Sequence, residues 1–185
     1  QGPMGNGKTT LVKEGIAKAL GRPFAFVSLG GASDSSYLSG HSFTYEGSVW
    51  GRVVDILIKS KCMNPIIYFD ELDKVSDTSK GEEIINLLTH MTDFSQNERF
   101  QDNYFSGIDR DLSKVLFIFS FNDESRVNRI LKDRMNVINT KGFNLKEKIK
   151  IANEYLLPKI YNSYKFTKED IIIPEDIIEY IINNY

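Results

Sequence analysis

The chain of 185 residues is 41% hydrophobic and 26% charged, with a formal net charge of −2. Those proportions describe a globular chain of one domain, or one domain and part of another, without the basic excess of a nucleic-acid binder. One cysteine and two histidines exclude an internal disulfide, fit a reducing compartment and leave too few ligands for an ordinary zinc centre.

Residues 8–20 read as a helix, with Leu11, Ile16, Ala17, Ala19 and Leu20 on an apolar side and Gly21 as its stop. Residues 24–29 read as a strand. Residues 30–47 are rich in Gly, Ser and Thr and read mostly as loop. A helix is expected over 49–61, where Val49, Val53, Ile56 and Leu57 share a face; Cys62 and Trp50 are expected to sit in a helix as structural residues. Residues 65–70, "PIIYFD", form a near-continuous apolar run, the mark of a strand covered on both faces by helices. A helix follows over 82–94, then a second apolar strand over 115–121, "VLFIFSF". A short helix over 126–132 and a short strand over 135–139 come next. Beyond that only helices are expected, over 145–161 and 174–183. No signal peptide is read, and no apolar run reaches the roughly 18 residues of a membrane-spanning helix. The alternation predicts a parallel α/β domain over residues 1–142 and the start of a smaller helical unit over 143–185.

Residues 2–9, Gly-Pro-Met-Gly-Asn-Gly-Lys-Thr, satisfy G-x-x-x-x-G-K-[ST] in full. Such glycines let backbone N–H groups turn toward one centre, and the following helix aims its positive end there. Gly2, Pro3, Met4, Gly5, Asn6 and Gly7 thus make an anion cradle. Lys8 reaches β- and γ-phosphates, the Thr9 hydroxyl is a ligand for Mg²⁺, and Thr10 turns away to pack or cap. The strand that would normally aim this loop is missing, so the sequence is expected to be a fragment. The second half of the chemistry lies in "IIYFDELDK". Asp70, at the carboxyl end of a buried strand, can hold Mg²⁺ through its waters, and Glu71 can polarise a water as general base. Asp73 and Lys74 are expected as loop and ion-pair residues, and His41 and His90 as hydrogen-bonding or packing residues.

With both motifs in place, the chain resembles an AAA+ ATPase module. The stretch "GRPFAFVSLGGASDSSYLSGHSFTYEGSVWGRVVDIL" resembles the segment between the nucleotide motifs of Lon-type ATP-dependent proteases. "DLSKVLFIFSFND", "LKDRMNVI" and "YLLPK" resemble later segments of the same family. The likeness implies an α/β P-loop fold, a parallel sheet short of its first strand, followed by the start of a helical lid. Asn122 matches the position that senses the γ-phosphate, and an amide suits that task by donating and accepting without a change of charge. Arg134 matches the finger that reaches a neighbour's site, with Arg129 as its competitor. Tyr45, in "HSFTYEG", matches the pore-loop aromatic that grips unfolded polypeptide. Glu46 stands where the family commonly has an aliphatic residue, which weakens the grip or tunes it to basic segments. "THMTDFSQN" departs from the family's leucine-rich helix end and acidic-proline turn.

The implied activity is Mg²⁺-dependent ATP hydrolysis in a homo-oligomeric ring, a hexamer by the family's pattern, that threads polypeptide toward a serine–lysine peptidase. No serine of this chain has a nucleophile's setting. An intracellular, cytoplasmic location is expected, with an organelle matrix left open, and no membrane partner. A protease-free unfoldase or remodeller stays open as an alternative. A nucleic-acid motor is disfavoured, since residues 33–47 carry Asp34 and Glu46 and no Lys or Arg. A scaffold that binds ATP without turnover conflicts with Glu71 and Asn122.

Overall fold

A computed structural model describes residues 1–32, 34–167 and 169–184. The chain divides into two compact units, Gln1–Thr140 and Lys141–Tyr185. Each is taken by itself.

In the first unit a three-stranded parallel sheet carries the order β1 (Phe24–Ser28), β2 (Ile66–Asp70), β5 (Leu116–Phe119), with β2 in the centre. Phe24 pairs with Ile66 and Ser28 with Asp70; Ile66 pairs with Leu116 and Phe69 with Phe119. Because successive side chains of a strand point to opposite faces, β2 divides its residues between two cores. Ile67 and Phe69 join one core with Val53, Ile56, Ile84 and Leu88. Ile66 and Tyr68 join a smaller one with Val12 and Ala17. Phe69 stacks on Phe119, centroids 5.1 Å apart. The apolar run of the sequence is the consequence of this double burial.

Helices supply the covering layers. The first, α1, spans residues 8–20: α-helical turns Lys8–Thr10 and Ala17–Leu20 flank a π-helical middle, Leu11–Ile16. The others are the short α2 (Ser36–Ser39), α3 (Arg52–Ser60), α4 (Ser79–Thr92) and the short α5 (Arg129–Lys132). Thr78 caps α4 by accepting from the Gly81 N–H. A small antiparallel ribbon, β3 (Phe100–Gln101) with β4 (Asp109–Arg110), precedes β5. Neither α2 nor this ribbon is marked in the sequence.

The strand expected over 135–139 does not form. Its backbone bonds to Gln1 do not make a ladder. The Gln1 amino group donates to Ile138 C=O at 2.9 Å, and the Thr140 N–H donates to Gln1 C=O at 2.8 Å. On the other side the Gly2 N–H donates to Phe121 C=O at 3.2 Å. The loop that follows is thereby fixed beside the end of β5. Trp50 and Cys62 also fall outside the helix expected to hold them, since α3 begins only at Arg52 and closes at Lys61.

In the second unit α6 covers residues 145–164, with α-helical segments Leu145–Ile151 and Leu157–Tyr164 around a π-helical turn, Ala152–Leu156. Pro158 explains that turn: without an N–H, and with its ring against the carbonyl four residues back, it cannot sit in a regular ladder. Asn144 and Glu147 form a capping box at its start. The helix α7 (Glu175–Asn184) packs on the first segment of α6, and Ile149, Tyr161 and Ile178 are buried in this unit. Among the described residues, no helix is long and apolar enough to cross a membrane.

Candidate active site

The opening loop wraps around the start of α1. Gly5 and Gly7 take left-handed backbones, φ +74° and +78°, which glycine adopts without steric cost. The first helical bond runs from the Leu11 N–H to Gly7 C=O, 2.8 Å. The amides of Lys8, Thr9 and Thr10 therefore have no helical acceptor and aim out of the positive end of the helix. Met4 and Thr10 are exposed, and Asn6 anchors the loop by donating to Thr140 Oγ1 at 2.6 Å.

Lys8 Nζ lies at the centre of the site. It donates to Gly2 C=O and Pro3 C=O, both at 2.8 Å, to Asn122 Oδ1 at 3.0 Å and to Asn6 Oδ1 at 3.3 Å. Three protons serve four acceptors, so at least one bond is shared. Burial lowers the Lys8 pKa, and the negative charges of Asp70 and Asp73 work against that shift. Lys8 holds Asn122, and Ser120 two residues earlier holds Asp70, so the end of β5 links the lysine to the carboxylate of the second motif.

Asp70, at the tip of β2, is held by two donors on Oδ1: the Ser120 hydroxyl, in a very short hydrogen bond, and the Glu71 N–H at 3.1 Å. Among the described residues, Oδ2 has no hydrogen-bond partner. Among the described residues, three other than glycine adopt positive φ: Lys61, Glu71 and Lys165. Lys61 and Lys165 close helices; Glu71, with φ 60° and ψ 44°, stands at a strand tip. Such a conformation costs of order 1 kcal/mol and collects at functional sites. Its carboxylate accepts from the Ser28 hydroxyl at 3.4 Å and is otherwise open to solvent. Thr9 donates its hydroxyl to Tyr68 Oη at 3.2 Å.

Asp73, expected in a loop ion pair, is instead 2% exposed and has no ion pair among the described residues. Its Oδ2 accepts from the Asp123 N–H at 3.2 Å, and its Oδ1 has no partner. This bond ties the turn after β2 to the turn after β5, which carries Asn122. Ser120 and Tyr68 were given no role by the motifs, and Asp73 was given a different one. Each is a polar group in a buried strand or turn, and such a group needs a partner.

Three expected residues lie outside this cluster. Arg134 pairs with Asp93, 3.0 Å away, just past the end of α4. Arg129 is exposed on α5 and has no ion-pair partner among the described residues. Tyr45 stands on the 40–51 loop, 70% exposed, beside Phe43 at 63%.

Residues 1–143 match the family described as ATPase family associated with various cellular activities (AAA). The chain belongs to that family. Over its full length it is also 45% identical to a Lon protease homolog of Acanthamoeba polyphaga mimivirus, covering 18% of that protein. It is 41% identical to the Lon protease of Porphyromonas gingivalis, covering 21% of it, and 40% identical to that of Clostridioides difficile, covering 23%. The chain is a Lon-type AAA+ module that spans about a fifth of the length of these relatives. Its P-loop α/β fold is the one the motifs imply.

The group such a module takes with ATP is a divalent cation. The donors at hand, an aspartate oxygen without a partner and a threonine hydroxyl, are the hard oxygen ligands that magnesium takes alongside water and phosphate.

Proposed function

We propose that this module binds and hydrolyses ATP as the motor of a Lon-type machine, threading unfolded polypeptide toward a peptidase domain. The observation that carries the reading is the meeting of Lys8, Asn122 and the Asp70–Glu71 pair at the tips of neighbouring parallel strands. Ligands of open α/β sheets bind at that edge.

Gly2, Pro3, Met4, Gly5, Asn6 and Gly7 form the cradle, and the free amides of Lys8, Thr9 and Thr10 receive phosphate oxygens. Lys8 exchanges its carbonyl partners for the β- and γ-phosphates. Asn122 faces Lys8 with Oδ1, which leaves its amide N–H₂ to donate to the γ-phosphate or to the attacking water. Glu71 takes the proton of that water as general base. Asp70 and Thr9 would hold magnesium, which would supply neutralisation of charge on the phosphates. Arg134, once free of Asp93, or else Arg129, serves a neighbouring subunit's site, where such a residue is worth about 10³–10⁵ in rate. These roles imply a homo-oligomeric ring, hexameric by family pattern, in which Tyr45 grips the polypeptide. The single thiol and the ATP requirement fit an intracellular, cytoplasmic setting, with neither nucleic acid nor membrane as partner.

Glu71→Gln decides the chemistry. In the protein as its gene encodes it, ATP should still bind while hydrolysis falls by about 10²–10⁴. An unchanged rate would refute Glu71 as the base.

A further inference from the structure

The loop that carries Tyr45 is closed at its neck by residues outside every motif. Its ends, Gly40 and Gly51, lie backbone against backbone. Gly40 has φ +78°, and a Cβ there would stand 2.7 Å from Gly51 N and 2.8 Å from Asp102 Oδ1. A Cβ on Gly51 would run into Leu38 C=O and stand 2.5 Å from Gly40 N. Only glycine fits at either end.

Asp102, 1% exposed, reaches into this neck. Its Oδ2 accepts from the Gly51 N–H at 2.8 Å and its Oδ1 from the Tyr104 N–H at 2.9 Å. Among the described residues it has no ion-pair partner, so backbone donors alone hold its charge. Asn103 secures the other end. Its N–H donates to Ser39 C=O at 2.7 Å, and its side-chain amide donates to Gly40 C=O at 2.9 Å and Ser39 Oγ at 3.2 Å. The same segment carries Phe105, on which Trp50 stacks with centroids 6.1 Å apart, and Tyr104, which meets Trp50 edge-on at 5.9 Å. The loop keeps its own bonds as well: His41 N–H to Val49 C=O at 3.2 Å, and Ser48 Oγ to Ser42 C=O at 2.7 Å. Phe43 and Tyr45 are left pointing outward from a loop whose base is fixed.

We propose that Asp102 and Asn103 are positioning residues for polypeptide engagement. They set the stance of the 40–51 loop through both of its ends and touch neither nucleotide nor polypeptide. The inference rests on the reading of Tyr45 as the gripping residue. A side chain that grips only when held at a fixed angle loses substrate affinity when its base loosens, since the order must then be imposed during binding.

The test uses α-casein as the unfolded polypeptide and the protein as its gene encodes it. ATP hydrolysis is measured for Asn103→Ala, Asp102→Asn and Tyr45→Ala, without casein and across a casein titration. For the two neck variants, hydrolysis without casein should stay within about twofold of wild type. The casein concentration for half-maximal stimulation should rise about tenfold, the equivalent of about 1.4 kcal/mol. If Tyr45→Ala loses stimulation while both neck variants keep it, the neck proposal falls and the reading of the loop stands. If Tyr45→Ala keeps stimulation, the reading falls and takes the proposal with it. If hydrolysis without casein and melting temperature drop together in both neck variants, the role is structural and the proposal is overturned. Asn103 is solvent-exposed, so its variant opens no core cavity and remains informative if Asp102→Asn fails to fold.

Discussion

At the residue scale the site is defined by what fixes each charged group. Asp70 is oriented by the Ser120 hydroxyl and the Glu71 amide on a single oxygen, which leaves the other for a ligand. Glu71 holds a left-handed backbone where the strand ends, and this swings its carboxylate to the Ser28 side. Ser120→Ala removes a hydrogen bond to a charged acceptor, an interaction worth about 1.5–3 kcal/mol. The carboxylate should then wander. The magnesium concentration for half-maximal hydrolysis is expected to rise by about tenfold or more, read from a magnesium titration at saturating ATP. An unchanged midpoint would mean that Ser120 does not orient Asp70.

At the element scale, α4 matters for what stands just past its end. Asp93 follows the helix, and its carboxyl is held below the usual carboxylate range, first by the Ser95 N–H and hydroxyl and then by Arg134. A carboxyl depressed in the folded state adds stability that is present above its unfolded value near 3.9 and lost as pH falls through the folded value. Asp93→Asn should therefore melt below wild type at neutral pH, with the gap closing as pH is lowered below the ordinary carboxylate range. A gap independent of pH would contradict the assignment. The elements differ in how plainly they stand in the sequence. β2 and β5 are legible as apolar runs because helices cover both faces, and α1 because its motif and its stop are local. The strand expected over 135–139 does not form because pairing, more than local composition, makes a strand, and among the described residues the bonds of this stretch to Gln1 lack the pattern of a ladder. The ribbon β3–β4 and the Asp102–Asn103 neck could not be read, since Asp102 meets Gly51 from 51 residues away and Asn103 meets Gly40 from 63. Asp70 finds Ser120 across 50 residues in the same way. Motif spacing proposes the reactive groups, whereas the partners that hold them are settled by folding.

At the scale of the whole molecule, the two compact units meet in sequence at Thr140–Lys141. The chain upstream is tied down by the bonds between Thr140 and Gln1, and the chain downstream by the capping box at Asn144. Residues 141–143 are exposed and belong to no helix or strand. Limited trypsin digestion is expected to cut first after Lys141, where exposed irregular backbone can enter a protease. First cleavage inside α6 would contradict this division. The account as a whole depends on Lys8 and the tips of β2 and β5 forming one triphosphate site. The most direct test is the ATP affinity of Lys8→Ala beside wild type, measured by calorimetric titration with magnesium present. A loss of affinity of about tenfold or more is predicted. Equal affinity in the two proteins would contradict the account.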